Sequence, residues 1–399
     1  MGDFNAAVVL DAIRRSGSGL SRVELGHSTG LSAQTISNIC RRLLDQGTVL
    51  EAGKASSGPG KPRTILRLNP GGLYAVGVHL DPAVMTFAIL DLTGAVALRS
   101  RCATPVSNDP EHIIQVISEE IEHLIVNSGV DRRKIAGLGV ATPGPIDPER
   151  GTVLDPPLLP GWHQVPLRDA LAQATGLPTF VDKDVTAAAV AEMWAGGASG
   201  TGSFIFFYLG TGIGAGVVLH DEVVRGTSHN SGEIGHIMAD PDGPPCACGL
   251  RGCVAVTCTP ESLVREAVAQ GVLPDSAGQG GARAVDEQFS ALCDLAESGS
   301  AGAASILERS AVAVARTVSV LTNLLDVDRV VFGGPSWGRL SGLYLRRIPG
   351  LLDDYTVARS IHRVAVVGTG VGEDVGAVGA ACLVLDHALA PRAARLILG

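Results

Sequence analysis

Apolar residues recur at helical spacing near the start of the chain and predict two short helices. Val8, Val9 and the residues one turn later fall on one face of a first helix. Ser21 begins a second helix, because Glu24 stands three residues later in the capping-box position. Gly30 ends that helix at a position where glycine commonly terminates helices. Only Gly30 and Leu31 separate this helix from the next predicted cap, Ser32, a spacing that is typical of a helix-turn-helix.

Ser32 caps a third predicted helix, from 33 to about 46, whose two faces differ in character. The apolar stripe consists of Ile36, Ile39, Cys40 and Leu43. The opposite face carries amides, hydroxyls and guanidinium groups, namely Gln34, Thr35, Ser37, Asn38, Arg41 and Arg42. Such groups contact base edges and phosphates in protein–DNA complexes. Two predicted strands, at 48–51 and 64–68, flank a basic loop. This loop lies where a winged helix has its wing, the hairpin loop beside the DNA-binding helix.

We therefore predict DNA binding by the third helix and the loop. The predicted contacts are Ser32, Gln34, Thr35, Asn38, Arg41, Lys61 and Arg63. The alternative is a three-helix bundle without a DNA-binding role.

After residue 73 the pattern changes to apolar runs that alternate with helical segments. Predicted strands lie at 75–78, 86–90, 135–140, 179–181, 204–209, 215–219 and 329–332, and predicted helices at 113–127, 185–194 and 311–325. This alternation indicates an α/β architecture. Glycines crowd the turn at 210–214, which is typical of a loop that binds an anion through backbone N–H groups. A β-hairpin turn with positive φ explains the same glycines.

Charge separates the chain into two parts. Residues 1–72 have nine Lys or Arg and five Asp or Glu, a net charge of +4, whereas the whole chain of 399 residues has −9. We therefore predict a DNA-binding domain at 1–72 and an acidic body at 73–399. The longest charge-free stretch, 193–220, is too rich in glycine for a membrane span. With no leader peptide at the N-terminus, we expect a cytoplasmic protein.

Four residues in one short segment predict a metal site. His236 is followed by Cys246, Cys248 and Cys253, a donor set that satisfies tetrahedral Zn²⁺. Because protein ligands fill all four positions, the predicted ion is structural. The alternative is three buried or disulfide-bonded cysteines. The remaining cysteines are predicted to be packed core residues, apart from Cys258, which lies near the cluster but is surplus to it.

The segment from Glu233 to Cys253 resembles the ROK family (repressor, open reading frame, kinase), especially its winged-helix regulators. The similarity covers almost the whole chain, including 20–47, 60–63, 139–147, 182–192, 209–216 and 330–334. It implies a winged helix-turn-helix joined to a two-lobed body of the sugar-kinase, actin-like ATPase fold. It also implies assembly as a homodimer or homotetramer.

Departures from the family pattern bear on activity. ROK kinases have an aspartate-x-glycine-glycine-threonine phosphate loop, whereas this chain has His79 in the aspartate position and Asp81, Pro82 and Ala83 in the others. An aspartate repels a triphosphate and Pro82 has no N–H to donate, so we expect no kinase activity. The alternative is an active sugar kinase with a DNA-binding head.

The resemblance also places a sugar site, formed by Lys183, Asp184, Glu233 and His236. Lys183 replaces a family asparagine and Ala255 replaces a family glutamate, so the cleft gains positive charge and we expect an anionic sugar derivative as effector. Alternatively, Lys183 turns outward or pairs with a carboxylate of Asp184, Glu192 or Glu233. Asp184 is also predicted to be the N-cap of the helix that follows it. The predicted function is a sugar-responsive repressor of carbohydrate metabolism genes; a third possibility is a scaffold whose body binds a protein and no small molecule.

Overall fold

The computed structural model describes residues 2–55, 62–107, 109–275 and 281–389. Its N-terminal part is a small helical unit closed by a three-stranded antiparallel sheet of order β1-β3-β2. The elements are α1 (Gly2–Ser16), β1 (Leu20–Ser21), α2 (Arg22–Thr29), α3 (Ala33–Asp45), β2 (Val49–Ala55) and β3 (Arg63–Leu68). We call these elements the head.

Capping explains the helix boundaries of the head. The Ser21 N–H donates to Glu24 Oε2 at 2.8 Å, and Ser21 Oγ accepts from the Glu24 N–H at 3.4 Å, which completes the predicted capping box. Gly30 ends α2 with φ of 71°, a conformation that favours glycine. Ser32 Oγ accepts from the Thr35 N–H at 3.2 Å and caps α3. The predicted stripe of α3 is buried, and it is Ile36, Ile39, Cys40 and Leu43.

The first lobe of the body is built on a five-stranded sheet of order β10-β7-β4-β5-β6. Its elements are β4 (Tyr74–Leu80), β5 (Val84–Asp91), β6 (Val96–Ala103), α4 (Pro110–Ser128), β7 (Ile135–Thr142), β8 (Ile146–Asp147), β9 (Thr152–Val153), α5 (Leu167–Thr175) and β10 (Thr179–Lys183). Strands β4, β7 and β10 run parallel, and β5 and β6 are antiparallel neighbours.

The second lobe repeats this plan with a sheet of order β13-β12-β11-β14-β15. The elements from the lobe boundary onward are α6 (Asp184–Ala195), β11 (Phe204–Leu209), β12 (Ile213–Leu219), β13 (Glu222–Val223), α7 (Val254–Thr257), α8 (Pro260–Ala269), α9 (Gly281–Glu297), α10 (Ala301–Leu325), β14 (Arg329–Gly333), α11 (Trp337–Tyr355), β15 (Ala365–Gly368) and α12 (Val375–Leu389). In the described part of the chain, no helix is both long enough and apolar enough to cross a membrane.

Helices α6 and α12 pack tightly at the centre of the molecule. A Cβ on Gly379 of α12 would lie 1.9 Å from the carbonyl oxygen of Ala187 in α6, so only glycine permits this approach. Helix α12 also lies on the first sheet, where a Cβ on Gly139 would come within 1.8 Å of the Ala380 carbonyl oxygen. Helix α1 of the head packs against α12, and apolar residues of the head, α6 and α12 form one buried cluster. The head is thus connected to the two helices that join the lobes.

Candidate effector cleft, metal centre and DNA-binding surface

The cleft between the lobes begins where β10 runs into α6. Lys183 is the last residue of β10 and stands at the N-cap of α6, while Asp184 is the first helical residue. The prediction that Asp184 is the N-cap is therefore wrong by one position. Its carboxylate nevertheless accepts a hydrogen bond at the helix start, from the Val185 N–H at 2.7 Å.

Asp184 is enclosed by protein but keeps partial access to the cleft. Burial raises the pKa of its carboxyl to about 7, and the Val185 N–H bond and the Lys183 charge oppose the rise. The nearby carboxylates of Asp81 and Glu233 add to it. Near neutral pH, Asp184 therefore exists as a mixture of carboxylate and carboxylic acid.

Lys183 does not turn outward; it forms an ion pair with Glu233 across the cleft. Its ammonium group also donates to the carbonyl oxygens of Asn230 at 3.4 Å and Ser231 at 3.2 Å. The Lys183 stem packs so closely on the backbone at Gly144 that a Cβ there would lie 2.9 Å from Lys183 Cε. The structure thus brings Lys183, Asp184 and Glu233 together.

Asn230 holds this part of the cleft together, and the sequence analysis did not single it out. Its side-chain Oδ1 accepts from the Ile146 N–H, and its Nδ2 donates to the Ile146 carbonyl oxygen, both at 2.8 Å. Asn230 therefore ties the loop before Glu233 to the turn after β7. Because Asn230 and Ile146 are remote in sequence, no local pattern could have revealed this pairing.

The loop between β4 and β5, where ROK kinases carry phosphate-binding glycines, is closed by its own side chains. Asp81 Oδ1 accepts from the Ala83 N–H and from Thr211 Oγ1, both at 2.8 Å. His79 is buried and pairs with the Tyr208 hydroxyl at 3.0 Å, and burial lowers the pKa of its imidazole. The Thr211 hydroxyl and the Ala83 N–H thus already have a carboxylate as their acceptor.

A cavity of about 1070 Å³ extends from this loop between the lobes. Among the described residues, three arginines line it, and each has a carboxylate partner within the chain. Arg101 pairs with Asp374 and Glu373, Arg265 with Glu261 at 2.6 Å, and Arg339 with Asp286 at 2.6 Å. A triphosphate would therefore have to compete with internal acids for every one of these cations.

The glycines of 210–214 form the hairpin between β11 and β12, in which Leu209 pairs with Ile213. The alternative explanation of these glycines, a hairpin turn with positive φ, is wrong in its φ angles, because Gly210, Gly212 and Gly214 all lack a positive φ. Gly214 is required for a different reason: a Cβ there would lie 2.5 Å from Val185 Cγ1 at the start of α6. Together with Gly216, where a Cβ would lie 2.4 Å from the Val185 carbonyl oxygen, Gly214 lets the second sheet approach α6 closely.

The predicted metal ligands lie together. The ligand atoms of His236, Cys246, Cys248 and Cys253 fall within 4.8 Å of one another, so this cluster could hold a metal ion. Sγ of Cys246 lies 3.4 Å from His236 Nδ1, and Sγ of Cys248 lies 3.6 Å from that of Cys253. Three thiols and an imidazole on a tight backbone turn fit a tetrahedral site. All eight cysteines are free of disulfide bonds.

Of the four cysteines predicted to pack in the core, Cys40, Cys293 and Cys382 are buried. Cys258, which lies near the cluster and was excepted from that prediction, is buried as well. Cys102 is a correction, because it is only partly buried. It lies on β6, the edge strand of the first sheet, at one of the half-buried positions that alternate with exposed ones, so it packs on the core from one side only.

Helix α3 presents its polar face to solvent. Ser32, Gln34, Asn38 and Arg41 are exposed, while Thr35 is half-buried because it engages the Ser32 cap. The Gln34 amide donates to Asn38 Oδ1 at 3.2 Å, which orders two of these side chains. Arg63 is exposed at the start of β3, whereas Lys61 lies outside the described residues.

The head contacts the body through an aromatic residue that the sequence analysis did not assign. The Arg14 guanidinium of α1 lies over the Trp194 ring at the end of α6, with 4.4 Å between its Cζ and the ring centroid. Asp11 accepts from the same guanidinium at 2.7 Å. Helix α6 therefore begins at the cleft and ends at the head.

The ROK family profile matches residues 75–387. A glucokinase from Thermotoga maritima is 30% identical over 320 residues, which covers 79% of this chain and 98% of the glucokinase. A xylose repressor from Bacillus subtilis is 29% identical over 261 residues, 65% of this chain and 67% of the repressor. A solved ROK family transcriptional regulator, a homolog of the Escherichia coli Mlc protein, matches with a TM-score of 0.77 and 22% identity over 97% of each chain, which is a likeness of fold. The chain belongs to the ROK family.

Proposed function

We propose that this protein is a sugar-responsive, DNA-binding transcriptional repressor of carbohydrate metabolism genes. The observation that carries the proposal is a head of three helices and a small antiparallel sheet, with an exposed polar face on α3, that packs on a ROK body. The resemblance to a repressor named for xylose supports both DNA binding and a sugar signal. The fold of the solved ROK regulator extends over the head as well as the body.

The head supplies the DNA contacts in this proposal, and we divide the chain into a DNA-binding domain at 1–72 and an effector-binding, oligomer-forming body at 73–399. Helix α3 enters the major groove, and the loop that leads to β3 contacts phosphates or the minor groove. The assigned contacts are Ser32, Gln34, Thr35, Asn38, Arg41, Lys61 and Arg63. Ser32 and Thr35 also cap α3, so they set its angle to the DNA.

The effector site in this proposal is the cleft lined by Lys183, Asp184, Glu233 and His236. The carboxyl groups are suited to accept hydrogen bonds from sugar hydroxyls. His236 Nδ1 faces the thiols, which leaves Nε2 on the opposite side of the ring for a ligand. The His236 ring thereby connects the effector site to the metal centre.

The metal in this proposal is one structural Zn²⁺ per chain, held by His236, Cys246, Cys248 and Cys253. Thiolates and imidazole are the ligands that Zn²⁺ prefers, and four of them leave no open position for catalysis. The ion would fix the loop that carries Glu233 three residues before the first ligand.

In this proposal, α6 couples effector binding in the cleft to DNA binding by the head. Its 12 residues span roughly 18 Å, from Asp184 at the cleft to the turn with Trp194 beside the head. A ligand that shifts the cleft end of α6 would move the platform on which Arg14 rests. In a homodimer or homotetramer, that movement changes the spacing of two heads and lowers affinity for paired half-sites.

A sugar kinase is the second candidate, which the glucokinase relative and the retained Asp184 favour. The closed phosphate loop argues against it. Asp81 satisfies the groups that would meet a phosphate, and Pro82 offers no N–H. The arginines of the neighbouring cavity are neutralised within the chain.

Selection of bound fragments from genomic DNA tests the proposal. The full-length protein should enrich a small set of fragments that share a two-fold symmetric motif, and Asn38→Ala should alter that motif. Glu119→Ala, on an exposed position of α4, is the matched control and should enrich the same fragments. Failure of the folded wild-type protein to enrich any fragment would leave the kinase and scaffold hypotheses, which phosphorylation assays and protein capture then separate.

A further inference from the structure

Lys183 is a buried cation whose negatively charged partner lies largely in solvent. The Lys183 side chain is 2% exposed, whereas that of Glu233 is 68% exposed. The stem of Lys183 is confined by the backbone at Gly144, and two carbonyl oxygens hold its ammonium group. The ammonium is therefore fixed in the wall of the cleft, while Glu233 can turn into solvent at little cost.

This asymmetry determines what can bind. A neutral hydroxyl that displaced Glu233 would leave the buried ammonium with only the partly protonated carboxyl of Asp184 as a negative neighbour, which is unfavourable. An incoming oxyanion would replace one charge-assisted hydrogen bond by another of similar strength. Ala255, whose N–H donates to the Gly235 carbonyl oxygen at 2.9 Å, places no further carboxylate beside the site.

We propose that the effector carries an oxyanion that replaces Glu233 as the partner of Lys183, so the effector class is a sugar acid or a sugar phosphate. The inference rests on the proposed function in one respect, because it assumes that the cleft is the effector site. Burial favours the protonated form of Asp184, which reduces its repulsion of an incoming anion. The exchange frees Glu233, so the loop before the metal centre changes its attachment to β10 when the effector binds.

A test that does not depend on the identity of the sugar uses Glu233→Ala and the probes acetate and inorganic phosphate. Removing the exposed carboxylate leaves Lys183 ready to accept an external anion. The variant should bind one of these anions roughly tenfold more tightly than the wild type, the change expected for one charge-assisted hydrogen bond. Thermal unfolding and calorimetry at constant ionic strength, with chloride as the reference, measure the effect. Preference for acetate indicates a sugar acid, and preference for phosphate indicates a sugar phosphate.

The control is the double variant Lys183→Met, Glu233→Ala, which should lose the added affinity. Glu233→Gln removes the charge with little change in volume and should behave as Glu233→Ala, which guards against misfolding of one variant. Equal responses of wild type, single and double variants would overturn the inference, as would the absence of any gain in both single variants. Anion binding is measured without DNA, so it tests the effector class alone. Selection of DNA fragments with the same preparations tests the repressor function separately.

Discussion

Replacing Asp184 with asparagine should remove a pH dependence from the stability of the protein. Burial raises the pKa of this carboxyl to about 7, whereas an unfolded aspartate titrates near about 4. Between these values the folded chain holds a proton that the unfolded chain has lost. The free energy of unfolding of the wild type therefore falls as pH rises through this window, and the fall ends above the folded pKa. Asparagine does not titrate, so the variant lacks this contribution.

The size of this pH dependence follows from the difference between the pKa values of Asp184 in the folded and the unfolded chain. Each pH unit within the window changes the free energy of unfolding by about 1.4 kcal/mol for one fully coupled group. From about pH 5 to about pH 8 this gives roughly 2–3 kcal/mol, which partial access of Asp184 to the cleft reduces to about 2 kcal/mol. As the pH rises over that range, the free energy of unfolding of Asp184→Asn should thus increase by about 2 kcal/mol relative to that of the wild type.

Guanidinium unfolding at several pH values measures this difference. Asp354→Asn, which changes an exposed carboxyl on α11, is the matched control. Its free energy of unfolding should vary with pH in the same way as that of the wild type. If the stability of Asp184→Asn also runs parallel to that of the wild type at every pH, Asp184 is not held in a desolvated site.

Four further predictions concern the head, the metal, the coupling route and the phosphate loop. Asn38→Ala should relax sequence preference at one base pair by about 1–3 kcal/mol, whereas Arg63→Ala should weaken binding to all sequences and flatten its salt dependence; salt titrations of both variants test this. Cys248→Ser should lower zinc content well below one equivalent per chain, as measured by metal analysis, and a wild type that folds without metal would contradict the assignment. Trp194→Ala should weaken the head–body contact by about 0.5–2 kcal/mol and reduce the effector response, while Trp194→Phe should retain part of it; equal effector-induced changes in DNA affinity for all three proteins would refute the α6 route. Finally, the unaltered protein should transfer no phosphoryl group from ATP to common sugars in a coupled assay, and any such transfer would restore the kinase hypothesis.

The head and the metal cluster could be predicted from sequence because their determinants are local. Ser21 and Glu24 are three residues apart, and their reciprocal hydrogen bonds fix the start of α2 wherever the rest of the chain lies. The ligands of the metal cluster fall within one short segment, so their spacing and chemistry were readable without a fold. Helix capping and ligand spacing depend on residues that are close in sequence, so both can be predicted without knowledge of the fold.

Contacts between distant segments could not be predicted in the same way. Lys183 and Glu233 are 50 residues apart, and sequence alone left three carboxylates and solvent as alternatives for the ammonium group. The contact of Arg14 with Trp194 depends on α1 packing at the end of α6, which no periodicity reveals. For Gly214 the sequence offered anion binding or turn geometry, whereas its requirement is the approach of Val185 from another element.

Titration of a DNA fragment recovered by genomic selection, with and without a panel of neutral and anionic sugars, tests whether the cleft controls DNA binding. Fluorescence anisotropy of the labelled fragment reports the affinity of the full-length protein at fixed salt. We expect tight binding that at least one sugar of the panel weakens, and an unchanged affinity when that sugar is added to Asp184→Ala. An affinity for DNA that no sugar alters, or a sugar response that survives in Asp184→Ala, would contradict the assignment of the cleft as the sensor of this regulator.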